Sequence, residues 1–198
     1  MSMKTPEGRN RAVFLDRDGT ICEEVGYMDS LDQMKLIPGS GEAVRLLNEH
    51  GFKIVVVTNQ AGVARGFVPE SILAPLHEEM KRQLKEKGAS VDAIYYCPHH
   101  PTMGVAPYLT DCSCRKPGTA LLEEAAREFD IDLRASYMIG DHYSDIRCGQ
   151  NAGARTVLLL TGHGKDTLTG RDGWEKPPSH IAADLHEAVQ WVLEQERG

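Results

Sequence analysis

The stretch "RAVFLDRDGTI", Arg11 to Ile21, sets a short apolar run against two aspartates spaced two residues apart. Its first part, "AVFLD" (Ala12 to Asp16), has the composition and length of a buried strand. The acids that follow, Asp16 and Asp18, can be read as turn residues ending that strand or as the chemical centre of the protein. A single Asp after a strand is usually a turn or cap residue, so the choice rests on the rest of the chain.

Working outward, the same strand pattern returns in "KIVVVTN" (Lys53 to Asn59), "VDAIYYC" (Val91 to Cys97), "ASYMIGD" (Ala135 to Asp141) and "ARTVLLLT" (Ala154 to Thr161). Amphipathic stretches separate these runs: Gly39 to Gly51, Pro69 to Gly88 with Pro75 in its first turns, "KPGTALLEEAAREFDI" and "SDIRCGQNAGA". "DLHEAVQWVLEQ" (Asp184 to Gln195) is the last helix. Strand and helix in alternation predict an α/β fold, a parallel sheet with helices on both faces. The 198 residues fit a single domain, 1–198, large enough to bury a full core. Two loops break the rhythm: Pro98 to Lys116, and a Gly-rich stretch near the C-terminus whose section 165–180 is expected to be mobile.

The net charge of -7 argues against nucleic acid or an anionic membrane as a partner. No apolar run approaches the roughly 20 residues of a membrane span, and "MSMKTPEGRNR" carries no apolar signal core. Five cysteines, three of them between Cys97 and Cys114, favour metal binding over disulfides and a reducing cytoplasm.

Asp16 and Asp18, Thr58 and Asn59, Cys97, and Asp141 all fall at or just after a predicted strand. In an open parallel sheet those ends share one edge, where ligands bind. Asp16, Asp18 and Asp141, with Asp145 one helical turn on, supply the hard oxygen ligands that suit Mg²⁺. Arg115 and Lys116 in "CRKPG" add cations, and Thr58 and Asn59 add a hydroxyl and an amide. Carboxylates, a divalent cation, a fixed ammonium and a hydroxyl together make a site for phosphate.

"DRDGT" at Asp16, "TNQ" at Thr58, Lys116 in "RKPG" and "GDHYSD" at Gly140 resemble, in order, the four motifs of the haloacid dehalogenase (HAD) superfamily of phosphotransferases, over about Arg11 to Gly164. The resemblance implies a Rossmann-like fold with a minimal cap. It makes Asp16 the nucleophile of an aspartyl-phosphate mechanism and Asp18 the general acid/base, with Thr58 and Lys116 completing the catalytic set. Mg²⁺ would sit on Asp16, Asp141 and the Asp18 backbone carbonyl, with Asp145 acting nearby or serving only as a cap or ion-pair partner.

"CPHHP…DCSCRKPG" gives Cys97, His99, Cys112 and Cys114, a C-x-H…C-x-C set that matches a closed, structural tetrahedral zinc site. Adjacent His100 is an alternative ligand, and the family pattern favours His99. Cys22 and Cys148 fall outside the set as packing residues, and His142, His163 and His186 are expected in solvent. The zinc loop narrows the resemblance to heptose-bisphosphate phosphatases, small enzymes of nucleotide-heptose and lipopolysaccharide precursor synthesis, with histidinol-phosphate phosphatases as nearest kin; the chain is expected to be a monomer. That family implies a phosphorylated sugar as substrate, with Asn59, Gln60, Arg65 and Arg115 as contacts and the two arginines placed for a distal phosphate. A non-catalytic, zinc-ordered phosphate-binding module is the reading from a different class. One departure is His142, where Lys is common in the heptose enzymes.

Overall fold

The strands of the protein are β1 (Ala12–Leu15), β2 (Lys53–Asn59), β3 (Ala93–Cys97), β4 (Tyr137–Gly140), β5 (Arg155–Leu159) and β6 (His180–Ala182). They come from a computed structural model, which describes Thr5, residues 8–170 and residues 174–197. All pair in parallel, in the order β3-β2-β1-β4-β5-β6. The chain builds outward from β1 through β2 to β3, then returns to the other flank of β1 with β4. This reversal creates a switch point between β1 and β4, the place where an open α/β sheet binds its ligand.

The helices are α1 (Ser40–Glu49), α2 (Ala61–Ala64), α3 (Leu73–Glu86), α4 (Ala120–Glu128), α5 (Tyr143–Ala152), α6 (Gly164–Thr169) and α7 (Leu185–Gln195). Strand side chains alternate between the two faces. Val13, Leu15, Ile54, Val56 and Ile139 pack with Val44 and Leu47 of α1, Leu76 and Met80 of α3, and Val189 and Val192 of α7. Ala12, Phe14, Val55, Val57 and Met138 pack on the opposite face with Leu122 and Ala125 of α4. Each large aliphatic side chain so buried contributes roughly 1.5–3 kcal/mol. That double core fixes the backbone at both ends of every central strand.

The predicted strands all appear, Lys53 to Asn59 with the same bounds and the other four trimmed at their ends, and the order of elements is as the sequence patterns predict. The first part of the Pro69 to Gly88 stretch is a separate short 3₁₀ turn, Glu70–Ile72, and Pro75 stands in the first turn of α3, where its missing N–H costs little. The patterns miss α2, α6 and β6, each too short to show a period. The stretch expected to be mobile contains more regular structure than its composition predicts: it holds most of α6, a Trp174 ring stacked on Tyr143 at 5.3 Å, and the first residue of β6, while residues 171–173 lie outside the described ones. Among the described residues, no helix is long and apolar enough to cross a membrane.

Candidate active site

Asp16 follows directly on β1 and Asp141 on β4, so the two adjacent strands of the switch point deliver two carboxylates side by side. They flank a cavity of about 180 Å³ that Asp18, Thr58, Asn59, Gln60, Arg115 and Lys116 also line. The strand-end reading therefore gathers residues from four separate segments into one place.

Two glycines allow the crowding. Gly19 has φ +72, and a Cβ on it would strike the Asp141 carboxylate. Gly162 has φ +48, and a Cβ on it would strike the same carboxylate and the Gly19 Cα. The Gly of "DRDGT" therefore serves both the left-handed turn and the close approach of motif one to motif four.

Lys116 is the electrostatic hub. Its Nζ lies 3.0 Å from Asp16 Oδ1 and 2.7 Å from Asp145 Oδ1, and donates to the Val57 carbonyl at 2.7 Å. Burial works against its charge, but Asp145 and Asp16 more than offset that and raise its pKa above the ordinary lysine value. Asp145 also accepts from the backbone N–H of His142, the N-cap of α5, through Oδ2 at 3.0 Å, so it is both the N3 member of that helix's capping box and the partner of Lys116. Asn59 receives the Lys116 N–H at 3.0 Å and donates to the Lys116 carbonyl at 3.1 Å. This amide fixes the lysine's backbone, a duty the sequence does not announce.

The Asp18 carboxylate is held by neighbours on its own side of the cavity. Gln60 Nε2 donates to Asp18 Oδ2 and to Thr58 Oγ1, both at 2.9 Å. Arg17 donates to both Asp18 oxygens, at 2.9 and 2.8 Å. Arg17 was not among the expected site residues. Its place between the two motif acids was the only available signal.

Without a cation the acids oppose one another. Burial, then Asp145 and Asp18, push the Asp16 carboxyl up to about 7 against the pull of Lys116. Burial, then Asp16 and Asp145, push Asp141 up to about 8, although its Oδ2 accepts the His163 N–H at 2.7 Å. Asp16, Asp141 and Asp145 each offer an oxygen within 4.8 Å of the others. Both Asp145 oxygens are taken, by Lys116 and the His142 N–H, whereas Asp16 and Asp141 line the cavity and are left to face a cation. With Asp16, Asp18, Asp141 and Asp145 ionised, Arg17 and Lys116 neutralise only two of the four charges. One divalent ion balances the remainder, and two carboxylates beside open cavity suit Mg²⁺.

The second cluster closes on itself. Cys97 Sγ is 3.5 Å from Cys112 Sγ, 3.2 Å from Cys114 Sγ and 3.7 Å from His99 Nδ1; Cys114 Sγ is 3.1 Å from Cys112 Sγ and 3.4 Å from His99 Nδ1. The edges of a tetrahedron around zinc with these ligand types are roughly 3.5–3.8 Å, from bond lengths of about 2.3 Å to sulfur and 2.0 Å to nitrogen. The arrangement is that of a tetrahedral metal site slightly drawn in. His100 is turned away: its Nδ1 receives the Thr102 and Met103 N–H groups at 3.2 and 3.0 Å, and it is His99 that stands with the three cysteines. Cys22 and Cys148 are buried packing residues.

The substrate-contact candidates divide. Arg115 lines the cavity and is anchored on the His99 carbonyl at 3.2 Å. Arg65 stands further out, on Tyr27 Oη at 2.5 Å and His100 Nε2 at 3.3 Å; Tyr27, not Arg65, reaches the cavity wall. His142 and His163 are exposed, as expected, but they also form part of the cavity mouth.

Comparison with known proteins gives a consistent set of relatives. A family model described as HAD-hydrolase-like matches residues 113–188. The D-glycero-D-manno-heptose-1,7-bisphosphate 7-phosphatase of Chlorobaculum tepidum is 38% identical over 185 residues, covering 90% of this chain and 92% of its own. The D-glycero-beta-D-manno-heptose-1,7-bisphosphate 7-phosphatase of Escherichia coli is 40% identical, covering 92% of this chain and 87% of its own. The crystal structure of D,D-heptose 1,7-bisphosphate phosphatase from B. bronchiseptica, complexed with magnesium and phosphate, superposes with a TM-score of 0.82 at 32% identity, over 93% of this chain and 99% of that one.

Proposed function

The chain belongs to the heptose-1,7-bisphosphate 7-phosphatases, a family of HAD-like phosphatases, and from that membership and the cavity's chemistry we propose that it removes the 7-phosphate of D-glycero-D-manno-heptose 1,7-bisphosphate. The observation that carries this reading is the meeting of Asp16, Lys116 and Asp141 beside Asp18 in one small polar cavity.

Asp16 is the nucleophile. Its Oδ bonds to phosphorus as the bond from phosphorus to the sugar oxygen breaks, and Asp18 gives its proton to the departing oxygen. In the second step Asp18 takes a proton from water, whose oxygen bonds to phosphorus and releases Asp16. Lys116 holds Asp16 in line and offsets charge on the transferred group, while Thr58 offers its hydroxyl to the same oxygens. Asp16, Asp141 and the Asp18 carbonyl would hold Mg²⁺, which when bound would supply charge neutralisation and favour the ionised form of Asp16. Zn²⁺ on Cys97, His99, Cys112 and Cys114 is structural, because four protein ligands leave no place for substrate. A reducing cytoplasm keeps those thiolates available.

Arg65 and Arg115 favour a bisphosphate over histidinol phosphate, since only the former brings a second phosphate to them. Asp16→Asn abolishes turnover on this reading, by 10³-fold or more, and phosphorus NMR of the wild-type reaction shows the 1-phosphate retained. An Asp16→Asn enzyme of normal activity, or faster turnover of histidinol phosphate than of the heptose bisphosphate, overturns it.

A further inference from the structure

Among the described residues, Arg17 is the largest side chain fully shut away from solvent, at 1% exposure, and the reaction steps above give it no task. A guanidinium is buried only with partners that use its charge. Those partners are unusually one-sided. Nε meets Asp18 Oδ1 at 2.9 Å and Nη2 meets Asp18 Oδ2 at 2.8 Å, a two-pronged grip on the residue next in sequence. Nη1 lies 3.4 Å from His77 Nε2. His77 is itself buried, on the inward face of α3 between Leu73 and Met80, with its ring 5.8 Å from that of Tyr96. Burial and then the nearby Arg17 push the imidazole down to about 4, so at neutral pH the ring is neutral and its Nε2, facing a guanidinium that can only donate, is free to accept in the Nδ1–H tautomer.

We propose that Arg17, seated by His77, is a positioning residue that fixes which oxygen of Asp18 carries the proton. The proposal rests on Asp18 being the acid/base. A carboxylate has about four acceptor directions. Arg17 Nε takes one on Oδ1, while Arg17 Nη2 and Gln60 Nε2 take both on Oδ2. One direction is left, on Oδ1 of a side chain that lines the cavity. Gln60 alone would hold a single oxygen and let the carboxylate rotate. Lysine, a point charge, cannot reproduce the fork.

A role that only balances buried charge makes a different prediction from one that aims a proton. An alkyl phosphate needs a proton on its leaving oxygen, whereas p-nitrophenyl phosphate does not. In both cases the second step still needs Asp18 to take a proton from water. Arg17→Met is therefore expected to lose about 100-fold in kcat on the sugar phosphate, the scale of general acid–base catalysis. On p-nitrophenyl phosphate it should give a rapid burst of p-nitrophenolate, about one per enzyme, followed by slow turnover as phosphorylated Asp16 accumulates. Arg17→Lys should fall between this variant and wild type.

His77→Leu, remote from the carboxylates, is expected to show the same pattern at roughly 10-fold, with His77→Gln regaining most of it by restoring an acceptor. The His77 pair decides the matter if Arg17→Met does not fold, as read from its melting curve and zinc content. Equal losses on both substrates without a burst, or His77→Leu indistinguishable from His77→Gln, overturn the proposal. Asp18→Asn separates the two levels. If it stays active, the acid/base reading itself falls; if it is inactive while the Arg17 variants are not, only the positioning role falls.

Discussion

Among the described residues, two clusters of side chains could hold a metal ion, and they are built in opposite ways. Asp16 and Asp141 extend from adjacent central strands, and Asp145 from a helix packed on the sheet. Their positions are fixed by the core, whether or not a cation is present, and the cost appears as raised proton affinity. In the second cluster only Cys97 belongs to a strand. His99, Cys112 and Cys114 lie on a loop that leaves Met103, Val105 and Leu109 exposed and has little core of its own. There, on the reading proposed above, a metal on the four ligands would order the backbone. One cluster is a rigid site that asks for a charge, and the other would be a charge site that makes a loop rigid.

Lys116 joins the two, standing two residues after Cys114 with its ammonium between Asp16 and Asp145. Replacing it breaks the comparison most severely. Lys116→Met leaves two buried carboxylates uncompensated, a loss of about 3–5 kcal/mol in urea unfolding, and lowers kcat by about 10²–10³-fold. Retention of near-normal kcat would show that Asp16 does not depend on its ammonium partner.

Loss of zinc is the next largest effect. Cys112→Ser, or chelation of the wild type, should lower the melting temperature by about 10 °C, equivalent to roughly 3–5 kcal/mol for a chain of this size. New protease cuts should fall between Cys97 and Cys112. Mg²⁺ affinity should change little, because Asp16 and Asp141 are held by strands. If chelation leaves both melting and proteolysis unchanged, the loop is ordered by packing and the contrast between the clusters disappears.

The acid cluster answers to pH instead. Asp16 and Asp141 bind protons more tightly folded, at about 7 and about 8, than at the ordinary value of 3.8. Between those values the folded state carries more protons than the unfolded one, so Mg²⁺-free protein loses stability as pH rises from about 4 to 8. The slope is at most about 1.4 kcal/mol per pH unit for each proton held. Saturating Mg²⁺ should flatten it. Melting curves across that range, with and without the ion, test this; a slope that persists in Mg²⁺ would mean the ion does not sit on these carboxylates.

This contrast also explains what the sequence could reveal. Residues fixed by strands were legible because an apolar run ends visibly, so Asp16, Thr58 and Asp141 could be placed at one edge before any coordinates. The cysteine set was legible because its ligand types and spacing have few other uses. Arg17, His77 and the clamp of Asn59 on Lys116 were not. Nothing in "DRDG" says whether the arginine turns inward, and His77 occupies an apolar helix face where a histidine can equally be packing. Such contacts depend on side-chain direction across elements far apart in the chain. Likewise α6 and β6 have too few residues to display a pattern.

The smallest expected effect concerns the place where the zinc side meets the substrate. Arg65 has no ion-pair partner among the described residues, and its buried Nε has no hydrogen-bond acceptor there. It is held only by Tyr27 and by His100, the neighbour of the zinc ligand His99. A cation so poised, one side chain removed from the cavity wall, suits the far phosphate of a bisphosphate and not the one being transferred. Arg65→Ala should therefore raise KM for the bisphosphate about 10-fold, the worth of one charge-assisted contact of roughly 1.4 kcal/mol, and leave kcat within a factor of two. A sugar monophosphate, lacking the second anion, should show almost no change. If kcat falls instead, or both substrates suffer equally, Arg65 acts on the reacting phosphate or on the loop itself, and the division between an ordering centre and a chemical one has been drawn in the wrong place.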